Sequence, residues 1–161
     1  MPESIVTLLD IVVGGLLIGG LYALIAMGFS LQYGVARVLN IAHGEFIMLS
    51  AFLTWTLYTI VGINPLVSLA IVGPAVFIIG FLLHQTLFTH LRVSAPNQGV
   101  YEANSMLATF GLLFIIQNVA LLIWTGNIQG YSYLATPVSL GGAIFAANSL
   151  VALLVAVVIG L

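Results

Sequence analysis

Residues 11–31 read Ile11-Val-Val-Gly-Gly-Leu-Leu-Ile-Gly-Gly-Leu-Tyr-Ala-Leu-Ile-Ala-Met-Gly-Phe-Ser-Leu31, an apolar run without a single charge. An α-helix needs about 20 such residues to cross the hydrocarbon core of a bilayer. Backbone at that depth finds no water to bond, and a helix satisfies its own N–H and C=O groups. The run therefore predicts a membrane-spanning helix. Working outward, further apolar runs predict spans at about 41–61, 66–88, 106–124 and 143–161. The turn signal Gly62-Ile63-Asn64-Pro65 separates the second from the third. A polar segment over residues 90–105 and a loop from Thr125 to about Pro137 separate the others. The expected fold is all-α: a polytopic transmembrane helical bundle of about five spans, one transmembrane domain over residues 1–161.

Composition supports this. The chain has 161 residues, 62% hydrophobic and 4% charged, and its only basic residues are Arg37 and Arg92. Its mean hydropathy is +1.27. A soluble domain carries far more charge on its surface. Two arginines and no lysine cannot neutralise a row of phosphates, so nucleic-acid binding is excluded. The absence of Cys excludes disulfides and thiol chemistry within these residues. Glu3 and Asp10 stand where a cleavable signal peptide would carry basic residues. Both arginines fall in loops that five spans place on one side, the cytoplasmic side by the positive-inside rule. The N-terminus, Asn64-Pro65 and the Thr125–Pro137 loop then face outward.

The polar segment Arg37-Val-Leu-Asn-Ile-Ala-His-Gly-Glu45 interrupts the apolar pattern. Two readings stay open. Asn40 can cap a helix start, Gly44 permits close approach or irregular backbone, and Glu45 suits the first turn of a helix, giving a capped start at the membrane interface with Arg37 as anchor. Alternatively the segment is a broken helix on a transport path, where freed backbone groups receive a polar substrate. Asn40, His43, Gly44 and Glu45 are the site candidates. Gln117 and Asn118, inside the fourth span, either bond to neighbouring helices or face a polar path. Gly15, Gly19 and Ala23 form a small-residue stripe suited to close helix packing, at a subunit interface or within one bundle. His43 and Glu45 are too few for a metal site, though the pair could relay protons. His84 and His90 read as interfacial. Trp55, Tyr58, Trp124, Tyr131 and Tyr133 read as an aromatic belt. No nucleotide-binding or hydrolase motif is present. No catalytic residue and no cofactor is expected.

Three stretches carry a resemblance. They are Gly20-Leu-Tyr-Ala-Leu-Ile-Ala-Met-Gly-Phe-Ser-Leu-Gln-Tyr-Gly34, then Arg37 to Phe46, then Met48-Leu-Ser-Ala-Phe52. Together they resemble the LivH-type branched-chain amino-acid ABC permease family, in which Asn-x-Ala-His-Gly-Glu follows the first long helix. Leu107-Ala-Thr-Phe-Gly-Leu-Leu-Phe-Ile-Ile-Gln-Asn118 resembles a second family segment. The resemblance implies a transport subunit, not an enzyme, in a bacterial inner membrane, as part of an ATP-driven importer. Its implied partners are a LivM-type permease, two cytoplasmic ATPase subunits and a periplasmic substrate-binding protein, within membrane lipid. Urea and short-chain amide permeases share the segment, so that substrate class stands as the alternative, beside an ion-coupled carrier and a membrane scaffold. The last apolar run still continues at Leu161, and with the resemblance this reads as a truncated chain, the N-terminal part of a longer permease.

Overall fold

The computed structural model describes residues 3–140 and 143–160. Its helices are α1 (Glu3–Ala36), α2 (His43–Thr56), α3 (Pro65–Leu83), α4 (Thr89–Ser94), α5 (Gln98–Trp124) and α6 (Ala147–Gly160). Wider π-helical turns over Leu57–Val61 and His84–Phe88 extend α2 and join α3 to α4. Among the described residues four helical runs are long and apolar enough to cross a membrane, Asp10–Ala36, His43–Val61, Pro65–Ser94 and Gln98–Trp124, and the expected fifth span contains a shorter apolar helix, Ala147–Val158. This is the polytopic helical bundle that the apolar runs call for.

Helix ends extend beyond the apolar runs because local capping, and not hydropathy, sets them. Asn64 Oδ1 accepts from Leu66 N at 2.9 Å, with Pro65 in the first helical turn. Gly62 ends the preceding run in the left-handed region, at φ 79°. Asn97 Oδ1 accepts from Val100 N at 3.0 Å, so α5 begins at Gln98, ahead of the expected apolar start near Met106.

The chain forms two compact units. In Gln32–Tyr131, α2 packs on α3 and α5, and α4 packs on α5. Val38, Phe88 and Tyr101 form its buried apolar cluster, with Leu83 and Leu91 against it. At another point Trp124 stacks on Phe52, ring centroids 5.1 Å apart, and its Nε1 donates to Thr56 Oγ1 at 2.8 Å. Tyr58 and Tyr131 meet at 4.9 Å. Several aromatics expected as a belt thus pack on partners in the protein.

The other unit combines Met1–Leu31 with Ser132–Leu161. Here α1 meets α6 at Gly20, where a Cβ would lie 2.7 Å from Leu153 Cδ1. Nothing described lies within 4 Å of a Cβ at Gly15 or Gly19, and Ala23 is exposed. The close approach within this unit therefore uses Gly20, next to the expected stripe. A short antiparallel hairpin, β1 (Pro137–Leu140) and β2 (Ala143–Ala146), pairs Val138 with Phe145 and Ser139 with Ile144. The last apolar run was expected to be helical from about Ala143. Its first four residues are extended, and helix begins at Ala147. Gly141-Gly142 between the strands is the sequence signal for such a hairpin.

Candidate functional site

Between α1 and α2 the chain leaves helical geometry for residues 37–42. Arg37 makes the break. Its N–H still bonds Tyr33 O at 2.9 Å, but its φ is 54°, a left-handed conformation that ends a helix. A side chain there costs roughly 1–2 kcal/mol relative to helical backbone. The Arg37 guanidinium lies 5.8 Å from the centre of the Tyr33 ring, a cation–π distance.

The segment after Arg37 turns inward. Val38, Asn40 and Ala42 are buried, Asn40 with 5% of its surface exposed. Non-helical backbone in such a place needs partners from outside the helix ladder. Ala42 N donates to Asn40 Oδ1 at 3.1 Å, an Asx turn, and His43 N donates to Asn40 O at 3.2 Å. Ile41 N donates to Thr109 Oγ1 of α5 at 3.1 Å. Asn40 therefore shapes the turn ahead of the helix. The cap position itself is Ala42, without a side-chain cap bond, which corrects the expectation of a direct Asn40 cap. The physical reason is position: Asn40 lies two residues ahead of the cap, and its Oδ1 accepts from Ala42 N instead.

Beside this elbow lies a cavity of about 190 Å³. Gln32, Asn40 and His43 give it polar groups, and Val76, Leu83, Phe88 and Leu112 give it an aliphatic and aromatic wall. Glu45 is in the first turn of α2 as expected, and its Oε2 is buried without a hydrogen-bond partner among the described residues. Gly44 is exposed, with nothing within 4 Å of a Cβ, so no close approach there demands glycine.

Gln117 and Asn118 do not join this group. Gln117 lines a separate cavity of about 160 Å³, with Met48, Phe52 and Asn127. Asn118 Nδ2 donates to Phe114 O on its own helix at 2.7 Å. A larger cavity, about 480 Å³, lies between Met48, Phe52 and Trp55 of α2 and Gln129 and Tyr131. His84 and His90 are exposed. Among the described residues no three His, Asp or Glu side chains converge as a metal site would require. Sequence reasoning missed Gln32 and Thr109. The one available signal was Thr109 in the middle of an apolar helix, three residues from Met106 and four from Ser105.

The sequence profile described as "Branched-chain amino acid transport system / permease component" matches residues 11–161. The chain belongs to this permease family. The permease chain is 31% identical over 130 residues to the high-affinity branched-chain amino acid transport system permease protein BraD of Pseudomonas aeruginosa, an overlap of 76% of this chain and 40% of that protein. It is 34% identical over 55 residues to the LivH permease proteins of Salmonella typhimurium and Escherichia coli, covering 34% of this chain and 18% of each. The chain thus spans well under half the length of the curated relatives it matches. No solved structure matches it. Its family and its long apolar helices make it a multi-pass membrane protein.

Proposed function

We propose that the chain is one permease subunit of an ATP-driven importer for branched-chain amino acids, and that the elbow and its cavity lie on the translocation path. The observation that carries this reading is the break after α1, with Asn40 buried, beside a cavity lined both by polar groups (Gln32, Asn40, His43) and by aliphatic ones (Val76, Leu83, Leu112). A branched-chain amino acid is divided in the same way. Its carboxylate suits Asn40 Nδ2, Gln32 and the amino-terminal end of α2, where the helix dipole favours negative charge. Its side chain suits Val76, Leu83 and Leu112. Glu45 Oε2 supplies an acceptor for the ammonium group, and Gly44 leaves the helix start uncovered. Gln117, with Asn118 beside it, marks a further stage of the path. Gly15, Gly19 and Ala23 remain a face for packing against another helix.

In this reading the partners are a LivM-type permease, two ATPase subunits and a periplasmic binding protein. The membrane is the bacterial inner membrane, with the N-terminus periplasmic and Arg37 and Arg92 cytoplasmic. The test is uptake of radiolabelled leucine by cells carrying the intact protein with its neighbouring genes. ATP-dependent uptake competed by isoleucine and valine is expected. Competition by urea or acetamide alone would replace the substrate class. Uptake that survives ATP depletion but collapses with a protonophore would overturn the ATP-driven mechanism. A reporter fused at Asn97 and found outside the cell would reverse the orientation.

A further inference from the structure

We propose that Thr109 is the positioning residue of this site: its hydroxyl fixes the register of residues 39–41 and so holds Asn40 and His43 on the cavity wall. The backbone of the elbow cannot bond within a helix. Ile41 N–H instead reaches across 68 residues of sequence to Thr109 Oγ1, at 3.1 Å. A hydroxyl has one proton and two acceptor lone pairs. The shortest acceptor for that proton is Ser105 O at 2.8 Å, one turn back in α5, with Met106 O at 3.1 Å and Leu39 O at 3.3 Å. Donating backwards into its own helix leaves the lone pairs free to accept from Ile41. Thr109 is fully buried, so water cannot take its place. Ile41 lies between Asn40, whose side chain shapes the turn, and His43, which opens α2.

Ser105 separates this role from simple core filling. It is equally buried on the same face of α5, but its hydroxyl donates to Tyr101 O at 2.7 Å and makes no bond to the elbow. A packing role predicts similar losses at both positions. A latch predicts loss at Thr109 alone, and only when the hydroxyl goes.

These 161 residues hold no cysteine, so a single introduced thiol reports on them. Val38→Cys is the reporter, with Ala42→Cys as a second, both at buried elbow positions. The readout is the maleimide labelling rate of the intact protein in native membrane vesicles, measured against the same protein without the introduced thiol. Thr109→Val keeps the shape and deletes the hydroxyl. It is expected to raise labelling of both reporters by roughly 2- to 13-fold, the net worth of one hydrogen bond, because the Ile41 bond is only part-buried. Thr109→Ser and Ser105→Ala are expected to label at the parent rate. Unchanged labelling in Thr109→Val, or a rise of equal size in Ser105→Ala, overturns the assignment. If Thr109→Val is lost from the membrane while Thr109→Ser is retained, the hydroxyl is again implicated, whereas loss of both overturns it. Leucine uptake, which rests on the path reading above, is a separate arm. Faster labelling with unchanged uptake would keep the latch and sink the path.

Discussion

Trp124 ties the end of α5 to α2 by two separable interactions, and their sizes are open to measurement. Its ring stacks on Phe52 at 5.1 Å with the planes 13° apart, and its Nε1 donates to Thr56 Oγ1 at 2.8 Å. Thr56 Oγ1 in turn donates to Phe52 O at 2.8 Å, so its proton is committed and its lone pair faces the indole. Interhelical hydrogen bonds in membrane proteins average about 0.6 kcal/mol in double-mutant cycles. Aromatic pairs add about 0.5–1.5 kcal/mol beyond area burial. Trp124→Phe keeps a ring against Phe52 and is expected to cost about 0.6 kcal/mol, the size of one such bond. Trp124→Ala loses both and is expected to cost about 1–2 kcal/mol.

The assay is SDS titration of the purified intact protein in micelles, followed by far-ultraviolet circular dichroism because the mutation itself changes tryptophan fluorescence. Trp124→Phe, Thr56→Val and the double mutant complete a cycle whose coupling term is the hydrogen bond. A coupling near zero would refute the bond. A Trp124→Phe loss as large as that of Trp124→Ala would refute the stacking, since phenylalanine retains a ring there.

Other expected outcomes follow from single positions. Gly20→Leu should loosen α6 from α1 and lower the SDS midpoint, because a Cβ there already lies 2.7 Å from Leu153 Cδ1, while Gly19→Ala should be neutral or stabilising by up to about 1 kcal/mol from helix propensity. Gly62→Ala should destabilise by about 1–2 kcal/mol in the same titration, since alanine is strained at φ 79°. Glu45→Met should leave the fold at least as stable, because Oε2 is buried with no partner among the described residues, yet abolish leucine uptake. A clear drop in stability would mean that the carboxylate is held by a partner in the intact assembly.

The long elements were legible because a bilayer imposes a length and a composition on whatever crosses it. Ile11–Leu31 could be little else, and Gly62-Ile63-Asn64-Pro65 carries its own turn chemistry. The polar segment was legible as an anomaly, and in the structure Asn40 and His43 line a cavity. Its internal structure was not. The left-handed Arg37 has no signal, since arginine does not favour that conformation. The bonds from Ile41 to Thr109 and from Trp124 to Thr56 each span 68 residues, and no local pattern announces a pairing at that distance. The hairpin at Pro137–Ala146 carried a turn signal in Gly141-Gly142, but Val138, Ile144 and Phe145 are as apolar as a span, and hydropathy does not distinguish strand from helix.

The two readings of the polar segment divide along the segment itself. A capped start at the interface would leave its turn open to water, and Arg37 is exposed in just that way. Beyond it Val38, Asn40 and Ala42 are buried, at 2%, 5% and 0%, while Ile41 between them is 40% exposed. Here the freed N–H of Ile41 is bonded by another helix. Non-helical backbone at membrane depth is tolerated where protein buries it or where it lines a cavity, and Asn40 in this stretch is both buried and on the cavity wall. On the proposed path reading, the anchor and the break are consecutive parts of one device. Arg37 stops α1 and stays exposed, and the chain beyond it buries Val38, Asn40 and Ala42 before α2 starts, with Asn40 and His43 on the cavity wall. Interface anchoring and a broken helix are alternatives only if the segment is treated as a single unit.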